Sequence, residues 1–307
     1  MARPLLSVVM PVHGGGPWLD AALASIRPRP GAAVEVVIRD STPESPCGEI
    51  VERHARRLAI DYAHVPAIAS WTRKTNLAVA AASARHVAML HQDDLWLPDR
   101  LTVAAEMIAA HPDAALLLTA ARIVDGGGKD LGPWRAPFAP GVVDPGGCRD
   151  ALLVQNSIAI PAPVFRRDAY LAVGGLDESL WYTPDWDLWL KLAGHGPVVF
   201  DPRATTAFRI HGASLTMTGN RREFADQLRI VLDRHLPGDS PIEGMCRASA
   251  RINVLLARAA AGHRASTLDA LRALVALGPR AMIRYLRDSR LVERVLPRLR
   301  ARLAGAF

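Results

Sequence analysis

The chain has 307 residues, half of them hydrophobic and 22% charged, which excludes a disordered or collagen-like protein and allows one large core or a medium core with an appendage. The formal charge is +7. It is unevenly placed: residues 240–307 hold 13 arginines against Glu243, Asp269, Asp288 and Glu293, a net of +9, so residues 1–239 sum to −2. Three distant cysteines, Cys47, Cys148 and Cys246, fit neither a disulfide framework nor a zinc site. With no export signal before the first apolar run and no apolar stretch near the ~18 residues of a membrane span, a cytoplasmic location is the expectation.

In chain order, Leu5–Val12 reads as a buried strand, Trp18–Ile26 as a helix, Val34–Arg39 as a strand and Gly48–Leu58 as a helix. Ser70–Ser83 has helical pattern, and His86–Leu90 is another buried strand. Asp99–His111 is a helix ending before Pro112, and Leu116–Val124 is a strand. Such alternation predicts an α/β fold with a mostly parallel, Rossmann-like sheet flanked by helices. Asp125–Gly147, rich in Gly and Pro, reads as a loop and a candidate lid or acceptor contact. A helix over Arg166–Val173, an aromatic and acidic run over Trp181–Leu190 and a strand over Val198–Phe200 follow. The Pro237–Pro241 segment marks a boundary between residues 1–238 and a helical C-terminal extension, 239–307, with breaks expected near Gly278-Pro279 and Pro297.

Four clusters have the residue types that do chemistry. Asp40, His91-Gln92-Asp93-Asp94 and Arg209-Ile210-His211 follow strands, where open α/β sheets bind ligands. Carboxylates at a sheet mouth suit Mg²⁺ or Mn²⁺, to which His91 or His211 would add an imidazole; equally, Asp93-Asp94 would cap the next helix. Asp185 and Asp187 lie among Trp181, Tyr182, Trp186 and Trp189. Aromatic walls raise a carboxylate pKa and suit a general base beside a sugar ring, while the same spacing describes a helix start with Trp186 and Trp189 in the core.

Taken in order, these segments resemble glycosyltransferase family 2, inverting nucleotide-sugar transferases of GT-A fold. Leu6–His13 is similar to the family's opening strand, with His13 for its usual Asn. Val36–Thr42 resembles the strand ending in Asp-Asp-Gly-Ser, with Arg39 at the first Asp. Asn76 precedes Asp93 by 17 residues, the family's spacing from its Arg-Asn-x-Gly helix to its metal-binding Asp; His91 takes the place of a leading carboxylate. Val173–Glu178 with Asp185–Lys191 resembles the acceptor-side stretch, and Arg209–Ser214 a late Arg-x-His motif. The resemblance covers residues 4–216. It implies nucleotide binding by Pro11, His13, Asp40, Asn76, Gln92 and Asp93, a Mg²⁺ or Mn²⁺ on Asp93 and His211, Asp185 as catalytic base, and Trp186, Asp187 and Trp189 on the acceptor side.

The implied partners are a nucleotide-sugar donor and a glycan or lipid-linked acceptor, as in polysaccharide assembly. A non-catalytic relative that binds nucleotide-sugar or glycan is the alternative. The basic tail carries the stripe Met282, Leu286, Val292, Val295, Leu296, Leu299 and Leu303, an amphipathic pattern suited to peripheral contact with the inner membrane face or to packing on protein. With few aromatics and no fold signature, it does not predict a nucleic-acid partner.

Overall fold

The computed structural model describes residues 3–43, 47–212, 221–263 and 265–303. The first half alternates β1 (Leu6–Val12), α1 (Gly16–Ser25), β2 (Val34–Asp40), α2 (Gly48–Ala55), β3 (Ala59–His64), α3 (Trp71–Ala81) and β4 (His86–Met89). Next come β5 (Leu95–Trp96), α4 (Arg100–Ala110), β6 (Leu116–Val124), β7 (Asp130–Trp134), β8 (Gly141–Val142), α5 (Pro145–Val154), β9 (Val164–Arg166), α6 (Arg167–Ala172), α7 (Pro184–His195) and β10 (Val198–Arg209). The remaining helices are α8 (Arg221–His235), α9 (Glu243–Ala260), α10 (Ala265–Val275), α11 (Gly278–Ser289) and α12 (Leu291–Leu303).

The strands form one ten-stranded sheet in the order β3-β2-β1-β4-β9-β6-β10-β5, with β7 on β6 and β8 on β10. The run β3-β2-β1-β4 is parallel, while β9 is antiparallel to both β4 and β6. Strand order reverses at β1, which opens a crevice beyond the carboxyl ends of β1, β2 and β4. Every residue of β1 is buried because helices cover both faces, so it reads as a continuous apolar run. Val8, Met10 and Val12 point into a core with Leu19, Val36 and Leu101. Val9 points the other way, toward Val37, Val79 and Leu152, the period-2 alternation of a strand.

Three expectations change. Strand β3 was not anticipated, because it is a half-exposed edge strand with Asp61 and His64 and lacks an apolar run. The Asp125–Gly147 segment is not a free loop: Ala121 pairs with Trp134 and Val124 with Asp130 in a β6–β7 hairpin. The Asp125 carboxylate caps its turn, accepting from the N–H groups of Gly127 and Lys129 at 2.9 Å, and Trp134 Nε1–H donates to Ser157 O at 2.7 Å. That bonding makes residues 125–134 an ordered hairpin. In the tail, Pro297 lies inside α12 against Gly132 of β7, and a break falls instead between α9 and α10.

The C-terminal helices share the main core. Met245, Cys246, Ile252 and a fully buried Tyr285 join the cluster of Trp186 and Leu152; burying a side chain of this size stabilises by about 1.5–3 kcal/mol. Arg284 of α11 pairs with Asp150 of α5 at 2.8 Å. All three cysteines are buried and unpaired.

Candidate active site

The crevice is built by three strand ends tied to one another. The backbone N–H of His13 donates to Gln92 Oε1 and the Gln92 amide donates to His13 O, both at 2.7 Å, which locks the end of β1 to the segment after β4. The exposed His13 ring lies 3.2 Å from Ser41 O and Oγ. Pro11 is buried within β1, two residues before the His13–Gln92 tie. Asp40, at the end of β2, is wholly buried. Its carboxylate accepts from Thr42 N–H at 2.8 Å, Thr42 Oγ1–H at 2.6 Å, Cys47 N–H at 3.2 Å and Tyr62 O–H at 3.0 Å. Burial pushes its pKa up, but these four donors outweigh burial and leave it below the usual value. Asp40 therefore shapes the loop after β2, with its oxygens directed inward.

Lys74 is a residue the motifs did not single out. Its Nζ, buried on α3, donates to Val12 O at 2.6 Å and Ser41 Oγ at 2.7 Å, and burial lowers its pKa to about 8. The available signal was its rarity: only three of the 37 basic residues are lysines. Asn76 is turned away from the crevice. Its amide donates to Leu176 O and Glu178 Oε1 at 3.0 Å, and its Oδ1 accepts from Leu176 N–H and Tyr170 O–H. With those capacities used, Asn76 positions the 174–178 turn, and direct nucleotide contact is not what this geometry offers. Gly175 is required there: at φ +65, a Cβ would lie 2.8 Å from Asn76 Oδ1 and from the Tyr170 ring.

Beyond β4, Asp93 Oδ2 lies 3.0 Å from His211 Nε2. His211 packs against Trp18 with ring centroids 4.1 Å apart. Arg209 fastens this corner, donating from Nε to Asp93 O at 2.7 Å and from its backbone N–H to Asp94 Oδ1 at 2.9 Å. The rest of the late motif, Ala213 and Ser214, lies outside the described residues. Candidate ligand atoms of His91, Asp93 and Asp94 lie within 4.8 Å of one another, and His91 Nε2 is buried with no hydrogen-bond partner among the described residues. Burial holds the His91 pKa down, which leaves a neutral imidazole with a lone pair. The Asp93 carboxylate and the His91 imidazole, whose Nε2 has no partner among the described residues, are a donor set that fits Mn²⁺ or Mg²⁺. Asp94 is the poorer ligand, because burial and the Asp93 charge hold its pKa well above the usual value.

Trp71 joins this corner to the other half of the crevice. Its ring meets His91 edge-on at 5.1 Å and its Nε1–H donates to Trp181 O at 3.1 Å. Four residues on, at the start of α7, Asp185 accepts from Asn156 Nδ2 at 2.9 Å. Burial raises its pKa to about 6 against the lowering effect of that bond. Pro184 occupies the first helical turn, where a missing N–H costs nothing.

The three acceptor-side expectations meet a correction. Trp186 is buried and donates to Leu152 O at 2.7 Å; Trp189 is fully buried against Phe165. Asp187 is also fully buried. It pairs with Arg234 and His235 at 2.8 Å and Lys191 at 2.9 Å, and despite burial these partners hold its pKa far below the usual range. Trp186 and Trp189 are core because positions 186, 189 and 190 form an inward stripe of the helix. Trp181 and Tyr182, just before α7, pack instead toward α8, with Trp181 Nε1–H donating to Glu223 Oε2 at 2.9 Å and Tyr182 meeting Phe224 edge-on at 4.3 Å.

Asp187 thus clamps α7 to α8, and Asp187→Asn is expected to destabilise the fold by about 3 kcal/mol at pH 7, since breaking a buried ion pair leaves its partners uncompensated. A group whose folded pKa is depressed stabilises above its unfolded pKa of about 3.9, and that contribution disappears as pH falls through the folded value. Urea denaturation should show the gap between variant and wild type at pH 7 narrowing in strong acid. Equal midpoints at pH 7 would contradict the clamp.

Comparison with known proteins completes the picture. Residues 7–150 match the sequence profile of Glycosyl transferase family 2. Residues 7–150 are a glycosyl transferase family 2 domain. The chain is 30% identical over 198 residues to O-antigen biosynthesis protein RfbC of Myxococcus xanthus, which covers 62% of this chain and 14% of RfbC. It spans only 20% and 14% of the length of two of the relatives it matches. The fold resembles S. aureus TarS 1–349 in complex with UDP-GlcNAc, with TM-score 0.63 and 18% identity over 81% of this chain and 70% of that one. It also resembles mannosyltransferase PcManGT from Pyrobaculum calidifontis in complex with GDP-Man and Mn²⁺, with TM-score 0.57 and 19% identity over 95% and 88%. The architecture is the GT-A fold of these transferases, with a helical C-terminal region. No helix among the described residues is long and apolar enough to cross a membrane.

Proposed function

We propose that this family 2 protein is an inverting glycosyltransferase that moves a hexose from a nucleotide-diphosphate donor to an acceptor hydroxyl in cell-surface polysaccharide or glycolipid assembly. The observation that carries the reading is the Asp93–His211 pair at 3.0 Å, beyond the carboxyl end of β4, beside His91, whose ring meets Trp71. The names of RfbC, TarS and PcManGT support donor class and pathway type.

In this reading the donor lies across the ends of β1, β2 and β4. The loop shaped by Asp40 and the His13–Gln92 pairing receive the nucleotide, and Lys74 holds β1 and β2 in register beneath it. Asp93 and His211, with His91 Nε2 beside them, would hold Mg²⁺ or Mn²⁺, which when bound supplies positive charge against the departing diphosphate. Asp185 accepts the proton of the acceptor hydroxyl as its oxygen forms a bond to the anomeric carbon. The bond from that carbon to the diphosphate oxygen breaks on the opposite face, and the electron pair leaves with the nucleotide. The acceptor is a glycan or a lipid-linked sugar, presented at the cytoplasmic face of the membrane, where the basic C-terminal helices give peripheral contact.

One displacement predicts inversion. Proton NMR of the sugar first released by slow donor hydrolysis, recorded before mutarotation, should show the anomer opposite to the donor's; retention would overturn the single-displacement reading. The inward engagement of Asp40 and the histidine at the leading acidic position favour a second reading, a non-catalytic nucleotide-sugar-binding relative. Absence of diphosphate release from every donor in the presence of Mn²⁺ would support it.

A further inference from the structure

We propose that the cleft between α8, α9 and α10 binds the phosphate of an anionic lipid headgroup at a bilayer surface. The cleft has a volume of 540 Å³ and is lined by Arg229, Arg247, Arg251 and Arg258 over Leu232 and Val254, with Asp269 as its one carboxylate. Two of these four arginines are already paired with carboxylates, which leaves two cations of the lining to meet an anion. Arg247 is neutralised by Glu243 at 2.8 Å and Asp233 at 3.3 Å, Arg229 lies 3.7 Å from Asp233 and 4.0 Å from Asp226, and Asp269 is taken by Arg272 at 3.1 Å. Arg251 and Arg258, seven residues apart on one face of α9, pair with no carboxylate among the described residues. Two guanidinium groups over an apolar floor match a phosphate, which each binds with two parallel N–H donors.

The neighbouring surface selects a lipid source. Asp269 brings α10 to the rim of the cleft, and on that helix Leu268, Leu271 and Val275 stand 52%, 54% and 69% exposed. Spacings of three and four place them in one stripe. A free anion in the cleft would leave this stripe in water, whereas a bilayer takes the phosphate on the arginines and the stripe among its acyl chains. A second copy of the chain is the poorer occupant: a two-fold interface sets a patch against itself, and residues 240–307 carry a net charge of +9. The proposal does not depend on glycosyl transfer.

Flotation of the full chain with vesicles of phosphatidylcholine alone, and of phosphatidylcholine mixed equally with phosphatidylglycerol, tests it. The wild type is expected to float only with the anionic vesicles and to be released by raised salt. Arg251→Ala with Arg258→Ala, both at exposed helix positions, should keep the wild-type melting temperature and lower partitioning on the order of 30-fold. Leu268→Gln with Leu271→Gln should also weaken flotation. Equal binding to neutral vesicles, wild-type flotation of the double arginine variant, or release unaffected by salt would each overturn the proposal. So would calorimetric binding of inorganic phosphate without flotation, or a dimer in sedimentation equilibrium that the leucine changes abolish while no vesicle binds.

Discussion

Asp185→Asn is expected to lower glycosyl transfer by about 10²–10⁴-fold, the usual contribution of a positioned general base, while nucleotide binding is retained. The variant keeps the shape of the side chain and its hydrogen bond from Asn156, so only proton acceptance is lost. A base works in its ionised form. With a pKa raised to about 6 by burial, the wild-type kcat/KM should fall as pH drops below about 6 and level off above it; an unperturbed aspartate would place that limb near 4. The same shift carries a stability consequence of opposite sign. An acid whose folded pKa is raised favours the protonated native state, so its charge destabilises the fold above the folded pKa and has no effect below the unfolded one. At pH 7 the Asn variant should therefore be more stable, by up to about 2–3 kcal/mol. Loss of turnover together with a higher melting temperature would separate a strained functional group from a structural one. Near-normal transfer would remove Asp185 from the mechanism.

Asp93→Ala is expected to abolish the strengthening of nucleotide diphosphate binding by Mn²⁺ and to reduce transfer by at least on the order of 100-fold, since charge stabilisation of a leaving diphosphate is worth several kcal/mol. The backbone of Asp93 stays fixed by Arg209 Nε, so the loss reports the carboxylate and not a moved loop. Asp94→Asn is a contrasting control: burial and the Asp93 charge favour a protonated Asp94, and its Oδ1 accepts from the Arg209 N–H, a bond that an amide oxygen also accepts. Nucleotide affinity that responds to Mn²⁺ in Asp93→Ala as in the wild type would place the cation elsewhere.

The alternation of apolar runs with helical segments predicted β1, β2, β4, β6 and the helices between them, because strands covered on both faces leave continuous apolar stretches such as Leu6–Val12. Edge and short strands leave no such trace. Strand β3 alternates half-exposed side chains, and β5 and β9 have two and three residues. Strand β7 hides in a Gly- and Pro-rich segment because its pairing is set by β6 and by the capped turn at Asp125.

At the site, positions along strands were legible and side-chain directions were not. Asp93 and His211 are 118 residues apart, yet both follow strands and meet as a pair. Asn76 and Asp187 kept their spacing but point inward. Which way a helical side chain faces depends on neighbours such as Tyr170, Leu176, Arg234 and His235, contributed by distant segments. Asn156, the partner of Asp185, carries no local motif, since its role arises only where α5 ends beside α7.

The most direct measurement is calorimetric titration of UDP, GDP, dTDP and CDP into the full chain, with and without Mn²⁺. One nucleotide should bind, with an affinity that Mn²⁺ increases in the wild type and leaves unchanged in Asp93→Ala. Binding of none of the four, or binding indifferent to Mn²⁺ in the wild type, would contradict a donor site built on Asp93 and His211.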